Sequence, residues 1–275
     1  MIVVDVGAND GSLSKSVLCN DQVTRVVAIE PNSWECSEKL EMIKQEFPGR
    51  MDIVYAAVAQ QNGQSSFFNA DSMNGQVGSL LEINPSGNWS APLGDLNRDS
   101  QISSARSVRT ISVESLSSEL GLHAIDFLKI DTQGTDIEIL DYFLAQIPVC
   151  VAVVEVEATE IPGEQHYEDS DNSLRRLVLI LNKYGYKIYR MKPVSGDCTE
   201  YNVFIAKTDS DFLKVSNLLD LNNLPTFIRF WNVLGIGGKR DISVSNLQKN
   251  LLIKLLSAIL HPQQSYKSFL IKLTS

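Results

Sequence analysis

The chain has 275 residues, of which 44% are hydrophobic and 21% are charged, and its 24 Lys and Arg against 33 Asp and Glu give a formal net charge of −9. The apolar fraction excludes a disordered chain, and the length suits one large α/β domain or one domain with an appendage. An acidic chain is also a poor nucleic-acid binder, because phosphate contacts need a surplus of Lys and Arg. We therefore expect no nucleic-acid partner.

Predicted strands and helices alternate along the chain. Apolar runs predict strands over residues 2–6, 25–29, 53–58, 108–113, 125–130, 150–156, 187–191 and 201–206. Amphipathic spacing predicts helices over residues 12–19, 33–46, 114–120, 136–145 and 173–184. A polar stretch over residues 69–107 has the length of a lid, a binding loop or a disordered segment. We expect substrate or adenine contacts from it, and a purely connecting loop is the alternative. This order is typical of an α/β fold with a doubly wound, mostly parallel, seven-stranded Rossmann-like sheet.

The charge is unevenly distributed between this sheet and the rest of the chain. Residues 208–275 carry 8 Lys and Arg against 4 Asp and Glu, a net +4, and the residues before them carry −13. The sequence therefore predicts a main domain over residues 1–207 and a basic, helical C-terminal extension over residues 208–275.

The extension contains an amphipathic segment. Leu247, Leu251, Leu255 and Ile259 recur four residues apart, which predicts a helix with one apolar face. Three roles stay open for that face: packing on the sheet, a homodimer contact, or peripheral contact with an anionic membrane surface.

The cysteines and the N-terminus indicate a compartment. Cys19, Cys36, Cys150 and Cys198 form neither a C-x-x-C pair nor a zinc-binding spacing, so free thiols in a reducing compartment are expected. The first five residues lack the basic region of a signal peptide, and no apolar run approaches the roughly 18–20 residues of a membrane-spanning helix. We expect a soluble, cytoplasmic protein.

Glycines and an acid follow the first two predicted strands. Gly7 and Gly11 allow a tight turn and a close approach of backbone to ligand. Glu30 comes 19 residues after Gly11, the distance expected across one βαβ unit, where an acid accepts hydrogen bonds from a ribose diol. Together these residues predict an adenosine-type ligand at the carboxyl edge of the sheet.

The glycine loop departs from the dinucleotide pattern G-x-G-x-x-G. Asn9 occupies the second glycine position and Ser12 the third, whereas a pyrophosphate needs bare backbone there. Asp131, at the end of the strand over residues 125–130, also suits a cationic ligand better than a diphosphate. These features favour S-adenosylmethionine over a nicotinamide dinucleotide.

Three motifs resemble those of the FkbM-type methyltransferases. V-V-D-V-G-A-N-D-G over residues 3–11 looks like the family's first motif, A-I-E-P over residues 28–31 its second, and I-D-F-L-K-I-D-T-Q-G over residues 125–134 its fourth-strand signature. The resemblance covers roughly residues 1–207. It implies a class I methyltransferase domain there, S-adenosyl-L-methionine as cofactor, and O-methylation of a sugar, polyketide or other natural-product hydroxyl.

The resemblance also implies site residues. It makes Gly7, Asn9, Gly11 and Glu30 cofactor contacts and places Asp131 beside the methionine end; the family's usual Glu in the fourth-strand signature is Gln133 here. The complete predicted cofactor site is Asp5, Gly7, Asn9, Gly11, Glu30, Pro31, Asn32, Ala57, Ser79, Asp131 and Gln133.

Two residues are candidates for catalysis. A hydroxyl acceptor benefits from a general base, worth about 10²–10⁴-fold. His166 follows the predicted strand over residues 150–156, in a polar segment that we expect to overhang the site. It is the candidate base. The alternative for His166 is a solvated loop residue. Asp131 is the second catalytic candidate.

Acids at the strand ends admit a second interpretation. Asp131, Glu155 and Glu157 have the hard oxygen ligands that a divalent cation prefers, but we favour service to the cofactor amine and predict no metal. Lys129 lies inside a predicted buried strand, so it either reaches the strand end or pairs with an acid, and we favour the ion pair.

The acceptor is expected to be a small molecule or a glycan. Two rival functions stay open at this point. One is a nicotinamide-dependent oxidoreductase, and the other is a non-catalytic binding protein that retains the fold.

Overall fold

A computed structural model describes residues 1–68, 78–84, 105–158, 165–194, 200–219 and 221, and the backbone of residues 242–243. The helices are α1 (Ser12–Leu18), α2 (Ser33–Glu46), α3 (Val113–Leu120), α4 (Asp136–Gln146), α5 (Leu174–Tyr184) and α6 (Asp209–Leu219). The strands are β1 (Ile2–Val6), β2 (Arg25–Ile29), β3 (Met51–Val54), β4 (Ala57–Val58), β5 (Gly63–Phe67), β6 (Arg106–Ile111), β7 (Ile125–Ile130), β8 (Val149–Glu157), β9 (Lys187–Pro193), β10 (Glu200–Ala206) and β11 (Ile242–Ser243).

The main sheet has the strand order β11-β9-β10-β8-β7-β1-β2-β3. The strands from β8 to β3 pair in parallel, whereas β10, β9 and β11 run antiparallel to their neighbours. Val4 of β1 lies opposite Val27 of β2 on one side and Leu128 of β7 on the other. The prediction of a seven-stranded, mostly parallel sheet is confirmed, with the two-residue β11 added at one edge.

Helices cover both faces of this sheet, because successive residues of a strand point to opposite faces. Val3 packs in one core cluster with buried side chains of α1, α2 and α6. Val4 packs in the other with buried side chains of α3, α4 and α5. The doubly wound arrangement is therefore confirmed, and it explains why β1 and β2 are continuous apolar runs.

A smaller sheet has the strand order β4-β6-β5, and its three strands lie between β3 and β7 in the sequence. One predicted strand over residues 53–58 is partly wrong, because the chain leaves the main sheet after Val54 and Ala57–Val58 pairs with β6 instead. The sequence did not predict β5, since its run Gly-Gln-Ser-Ser-Phe has little apolar periodicity. Most of the predicted loop over residues 69–107 lies outside the described residues.

The start of the predicted C-terminal extension packs on the main domain. Val215 and Leu219 of α6 are buried, and Nδ2 of Asn20 donates a hydrogen bond to the carbonyl of Leu218 at 2.6 Å. The boundary at residue 207 stays a prediction, and the helix predicted around Leu247–Ile259 lies outside the described residues. Within the described part of the chain, no helix has the length and apolar character needed to cross a membrane.

Candidate active site

A cavity opens at the carboxyl ends of β1, β2 and β7, where the strand order reverses between β1 and β7. Such a switch point is where open α/β sheets bind ligands. Its lining includes the predicted residues Gly7, Asn9, Glu30, Pro31, Ala57, Asp131 and Gln133. Seven of the predicted site residues, far apart in the sequence, therefore face one space.

The turn after β1 is fixed by contacts that only glycine permits at its start. The amide N–H groups of Gly7 and Ala8 both donate to the carbonyl of Ile29, at 2.9 and 3.1 Å. Gly7 has φ +74°, and a Cβ there would lie 1.8 Å from the carbonyl oxygen of Asp131. The β1 turn thus passes directly against the β7 turn, and any side chain at residue 7 would force the two apart.

Gly11 serves packing at the far end of the same loop. A Cβ at Gly11 would lie 2.5 Å from Cδ1 of Ile43 and 2.9 Å from Cδ2 of Leu40, both on α2. Gly11 does not line the described cavity. Its position lets α1 begin against α2, and its direct contact with cofactor stays a prediction.

The carboxylate of Glu30 is held by two backbone N–H groups. Its Oε2 accepts the N–H of Asn9 at 2.7 Å and its Oε1 accepts the N–H of Asn32 at 2.8 Å. Burial raises the pKa of Glu30, and the two N–H donors oppose that rise. Asn32 itself is buried and caps α2 through its side chain, which accepts the N–H of Glu35. Asn32 thus supports Glu30 and lies outside the cavity lining.

Asn9 carries a left-handed backbone with φ +47°. Asparagine tolerates this conformation better than most residues. The thiol of Cys36, on α2, donates to Oδ1 of Asn9 at 3.5 Å. Asn9 therefore anchors the loop twice. Its backbone N–H is bound by Glu30, and its side chain is bound by Cys36.

One wall of the cavity is apolar and was only partly predicted. Ala57 was predicted, whereas Phe67 of β5 and Leu80 were not, because both come from segments that the sequence left as coil. The ring of Trp34 meets the ring of Phe67 edge-on at 6.0 Å, and the guanidinium of Arg106 lies 4.6 Å from the Trp34 ring. These contacts brace the wall from behind.

A buried ion-pair group lies beneath the β1 and β7 turns. Nζ of Lys129 donates to the carbonyl of Gly7 at 2.7 Å and lies 3.4 Å from Oδ1 of Asp5 and 3.7 Å from Oδ2 of Asp131. Burial lowers the pKa of Lys129, but Asp5 and Asp131 outweigh it and the net shift is upward. The prediction that Lys129 pairs with an acid is confirmed.

Asp5 does not line the cavity. Its side chain is fully buried and accepts a hydrogen bond from Oγ of Ser14 at 2.7 Å as well as facing Lys129. Asp5 therefore positions Lys129, and through it the Gly7 carbonyl, behind the cavity.

The turn after β7 presents Asp131 and Gln133. Nε2 of Gln133 donates to Oδ1 of Asp131 at 2.9 Å, and Oε1 of Gln133 accepts from the hydroxyl of Tyr167 at 2.8 Å. Ser79 also reaches this turn, because its Oγ donates to the carbonyl of Gln133 at 2.6 Å. Ser79 is buried and lies outside the cavity lining, so it supports the turn from behind.

Acidic side chains crowd the ends of β7, β8 and β10. The buried members of this acid cluster are Asp131, Asp136, Glu155, Glu157 and Glu200. Burial, then Asp131, raises the pKa of Asp136 to about 7, and burial raises that of Glu157 to about 7. Burial, followed by Glu200 and Asp131, raises the pKa of Glu155 well above its usual range.

The candidate base His166 lies inside this acid cluster, with 1% of its surface exposed. Its Nδ1 lies 2.7 Å from Oε1 of Glu200, and its backbone N–H donates to Oε2 of Glu157 at 2.9 Å. Neither interpretation of the sequence described this position, because His166 is not solvated and does not line the described cavity. Sequence reasoning could not place it, since Glu200 approaches from β10, 34 residues away.

The alternative interpretation of Asp131, Glu155 and Glu157 was a site for a divalent cation. Among the residues that the structure describes, no three His, Cys, Asp or Glu side chains are arranged to hold a metal ion.

A family model described as the methyltransferase FkbM domain matches residues 5–188, which is more than half of the chain. The chain belongs to this family of methyltransferases, and its cofactor is S-adenosylmethionine. The family match decides between the two enzyme classes that the sequence left open, in favour of the methyltransferase.

Several solved structures are similar to the chain. The pyocyanin biosynthetic protein PhzM is 12% identical with a TM-score of 0.39, covering 75% of this chain and 50% of that one. A precorrin-6y C5,15-methyltransferase from Geobacter metallireducens GS-15 is 14% identical with a TM-score of 0.37, covering 75% and 78%. A SAM-dependent methyltransferase from Aquifex aeolicus is 13% identical with a TM-score of 0.39, covering 76% and 82%.

These likenesses have a limited reach. The chain spans half the length of PhzM, and each TM-score is below 0.5, so they assign no residue and no acceptor to this chain. No curated protein matches the chain significantly.

Proposed function

We propose that the protein transfers a methyl group from S-adenosylmethionine to a hydroxyl oxygen of a small molecule or glycan. One observation supports the proposal: the carboxylates of Glu30, the predicted ribose contact, and of Asp131 line the same switch-point cavity. Oδ2 of Asp131 is buried and, among the described residues, has no hydrogen-bond partner. A buried carboxylate oxygen left in this state fits a cationic ligand.

The lining residues fit the parts of the cofactor. Each oxygen of Glu30 accepts one backbone N–H and retains a lone pair, so the pair of oxygens can accept both hydroxyls of a ribose. Phe67, Leu80 and Pro31 supply an apolar wall for the adenine. Asp131 faces the ammonium group at the methionine end.

The cofactor, when bound, supplies a methyl group on a positively charged sulfur. The chain's own part is to hold that group and the acceptor oxygen in line, because positioning is the main source of acceleration in such a displacement. The acid cluster beside the cavity favours a neutral or cationic acceptor over an anionic one, since like charges repel. A hydroxyl of a sugar or another natural product meets that condition.

His166 stays a predicted base. A carboxylate at 2.7 Å from Nδ1 orients the ring and makes Nε2 its basic nitrogen, as in other acid–base pairs. His166 is buried outside the described cavity lining, and the next residue, Tyr167, donates to Gln133 of that lining, so an acceptor hydroxyl must reach His166 from the cavity near Gln133.

The test is to measure binding and transfer separately. Calorimetry with S-adenosylhomocysteine should give a 1:1 complex, and methyl-labelled S-adenosylmethionine should then label members of a panel of polyhydroxylated acceptors. Nuclear magnetic resonance of the product should show a methyl group on oxygen. Label on nitrogen or carbon would contradict O-methylation, and binding without transfer to any acceptor would favour the non-catalytic alternative.

A further inference from the structure

We propose that Gln133 is a positioning residue, with Tyr167 as its support, that holds Asp131 ready for the ammonium group of S-adenosylmethionine. The inference rests on the proposed placement of the methionine end at Asp131. It concerns a position where the resembling motif has Glu and this chain has Gln.

The side-chain amide of Gln133 is held at both ends. Its nitrogen donates to Oδ1 of Asp131 at 2.9 Å and approaches Oε1 of Glu155 at 3.5 Å, and its oxygen accepts from the Tyr167 hydroxyl at 2.8 Å. Because the nitrogen faces two acceptors and the oxygen faces a hydroxyl donor, the amide has one favourable orientation. Burial, followed by nearby carboxylates, raises the pKa of Tyr167 well above its usual range, so its hydroxyl keeps the proton it donates.

The backbone of this turn is fixed as well. Gln133 has φ +59°, a left-handed conformation that is uncommon for a residue with a side chain. The next residue, Gly134, has φ +102°, and a Cβ there would lie 2.8 Å from Cδ2 of Tyr167. Oγ of Ser79 donates to the Gln133 carbonyl at 2.6 Å. A non-glycine residue kept in such a conformation is a feature of functional sites.

The neutral amide suits its surroundings better than a carboxylate would. A Glu in this place would stand between Asp131 and Glu155, and like charges at such distances disfavour one another. The amide of Gln133 donates hydrogen bonds and adds no negative charge. It satisfies Oδ1 of Asp131 and leaves Oδ2, which faces Lys129 at 3.7 Å but accepts no hydrogen bond among the described residues, as the oxygen for a further cation.

Lys129 completes the arrangement from the other side. Its Nζ lies 3.7 Å from Oδ2 of Asp131, beyond a direct hydrogen bond, while it donates to the Gly7 carbonyl at 2.7 Å. The carboxylate of Asp131 is thus fixed by Gln133 in front and by Lys129 behind.

The experiment compares two ligands on the full chain by calorimetry. S-Adenosylhomocysteine carries the ammonium group, and 5′-methylthioadenosine has the same nucleoside without the amino-acid part. Gln133→Met should weaken S-adenosylhomocysteine at least tenfold and 5′-methylthioadenosine less than twofold. Tyr167→Phe should weaken S-adenosylhomocysteine about threefold. In the double variant, Tyr167→Phe should add nothing, because Tyr167 acts through Gln133.

Gln146→Met, on the exposed end of α4, is the matched control and should leave both affinities unchanged. Should Gln133→Met not fold, Gln133→Asn keeps an amide but withdraws it from Asp131 and should give the same selective loss. If Gln133→Met weakened both ligands equally, its role would be merely structural, and the inference would fail while the proposed function stood. Additive effects in the double variant would have the same consequence. Failure of the unmodified chain to bind S-adenosylhomocysteine would instead overturn the proposed function.

Discussion

The two sides of the cavity hold their carboxylates in opposite ways. On the side of β1 and β2, Glu30 accepts two backbone N–H groups, and the loop in front of it is shaped by Gly7. On the side of β7, β8 and β10, the acid cluster gathers five buried carboxylates, and Glu157 and Glu200 approach one histidine. The arrangement of the first side is set by backbone geometry. The arrangement of the second side depends on which of its carboxyl groups carry a proton.

The two sides of the cavity should therefore respond to different perturbations. The β1–β2 side is shaped by the close approach of Gly7 to the Asp131 carbonyl, so it should fail when that shape changes. Raised carboxyl pKa values mean that the acid cluster should change with pH even when its shape is kept. Substitutions on each side can test this contrast.

Gly7→Ala should give the largest loss. The new Cβ would lie 1.8 Å from the Asp131 carbonyl, at φ +74°, so the β1 and β7 turns must separate. We expect destabilisation of more than about 3 kcal/mol and no detectable binding of S-adenosylhomocysteine. Thermal unfolding and calorimetry measure the two effects.

Gly49→Ala is the matched control for that variant. Gly49 has φ +76° but no neighbouring atom within 4 Å of its Cβ position, so it carries the backbone strain without the clash. It should cost only about 1 kcal/mol and leave binding intact. Equal losses for the two variants would show that the close approach at Gly7 is unimportant.

His166→Ala should lower turnover by about 10²-fold, or about 2.7 kcal/mol, with little change in affinity for S-adenosylhomocysteine. The reason is the predicted base role beside Glu200, outside the cavity lining that we propose holds the nucleoside. His123→Ala, in an exposed turn, is the control and should be silent. Turnover at the level of the unmodified chain would remove His166 from the mechanism.

Glu157→Gln should flatten the pH dependence of stability. The folded pKa of Glu157 is raised to about 7 from 4.5, so the folded state holds the proton more tightly than the unfolded state. Its stabilising contribution is therefore complete below the unfolded pKa and is lost as the pH rises through 7. Between pH 5 and 8 this group should account for about 2 kcal/mol of the fall in unfolding free energy.

Denaturant unfolding at several pH values checks this prediction. The quantity to compare is the slope of the unfolding free energy against pH, because burying an amide also changes the unfolding free energy at every pH. Glu38→Gln, on the exposed face of α2, should leave the slope unchanged. A slope unaltered by Glu157→Gln would mean that the acid cluster is not where protons are taken up.

Local sequence was enough to predict most strands of the main sheet and part of the candidate site. The strands Ile2–Val6, Arg25–Ile29 and Ile125–Ile130 were predicted with their bounds, because buried parallel strands are short apolar runs that end in turn residues. Gly7 and Glu30 were found for the same reason: each directly follows such a run. Since parallel strands end at one edge, the sequence also determined that these residues meet.

The tertiary structure decided what lies behind that edge. Asp5 and Gly11 share the motif with Gly7, yet they support the loop from behind and do not line the described cavity. Phe67 joins the lining because β5 pairs with β6, and its partner Arg106 is 39 positions further along the chain, a contact that leaves no local pattern. The partners of His166 and Gln133 likewise arrive from β10 and from the segment around Tyr167.

The physical reason is the range of the interactions. Apolar periodicity, glycine conformation and an acid after a strand are properties of neighbouring residues, so the chain displays them in order. They predicted the fold class and the cofactor, and they indicate the edge of the sheet where we propose that the cofactor binds. Burial and the balance between carboxylates and their donors depend on which distant segments pack together. Only the folded chain therefore decided that Gln133 holds Asp131 and that His166 lies buried between Glu157 and Glu200.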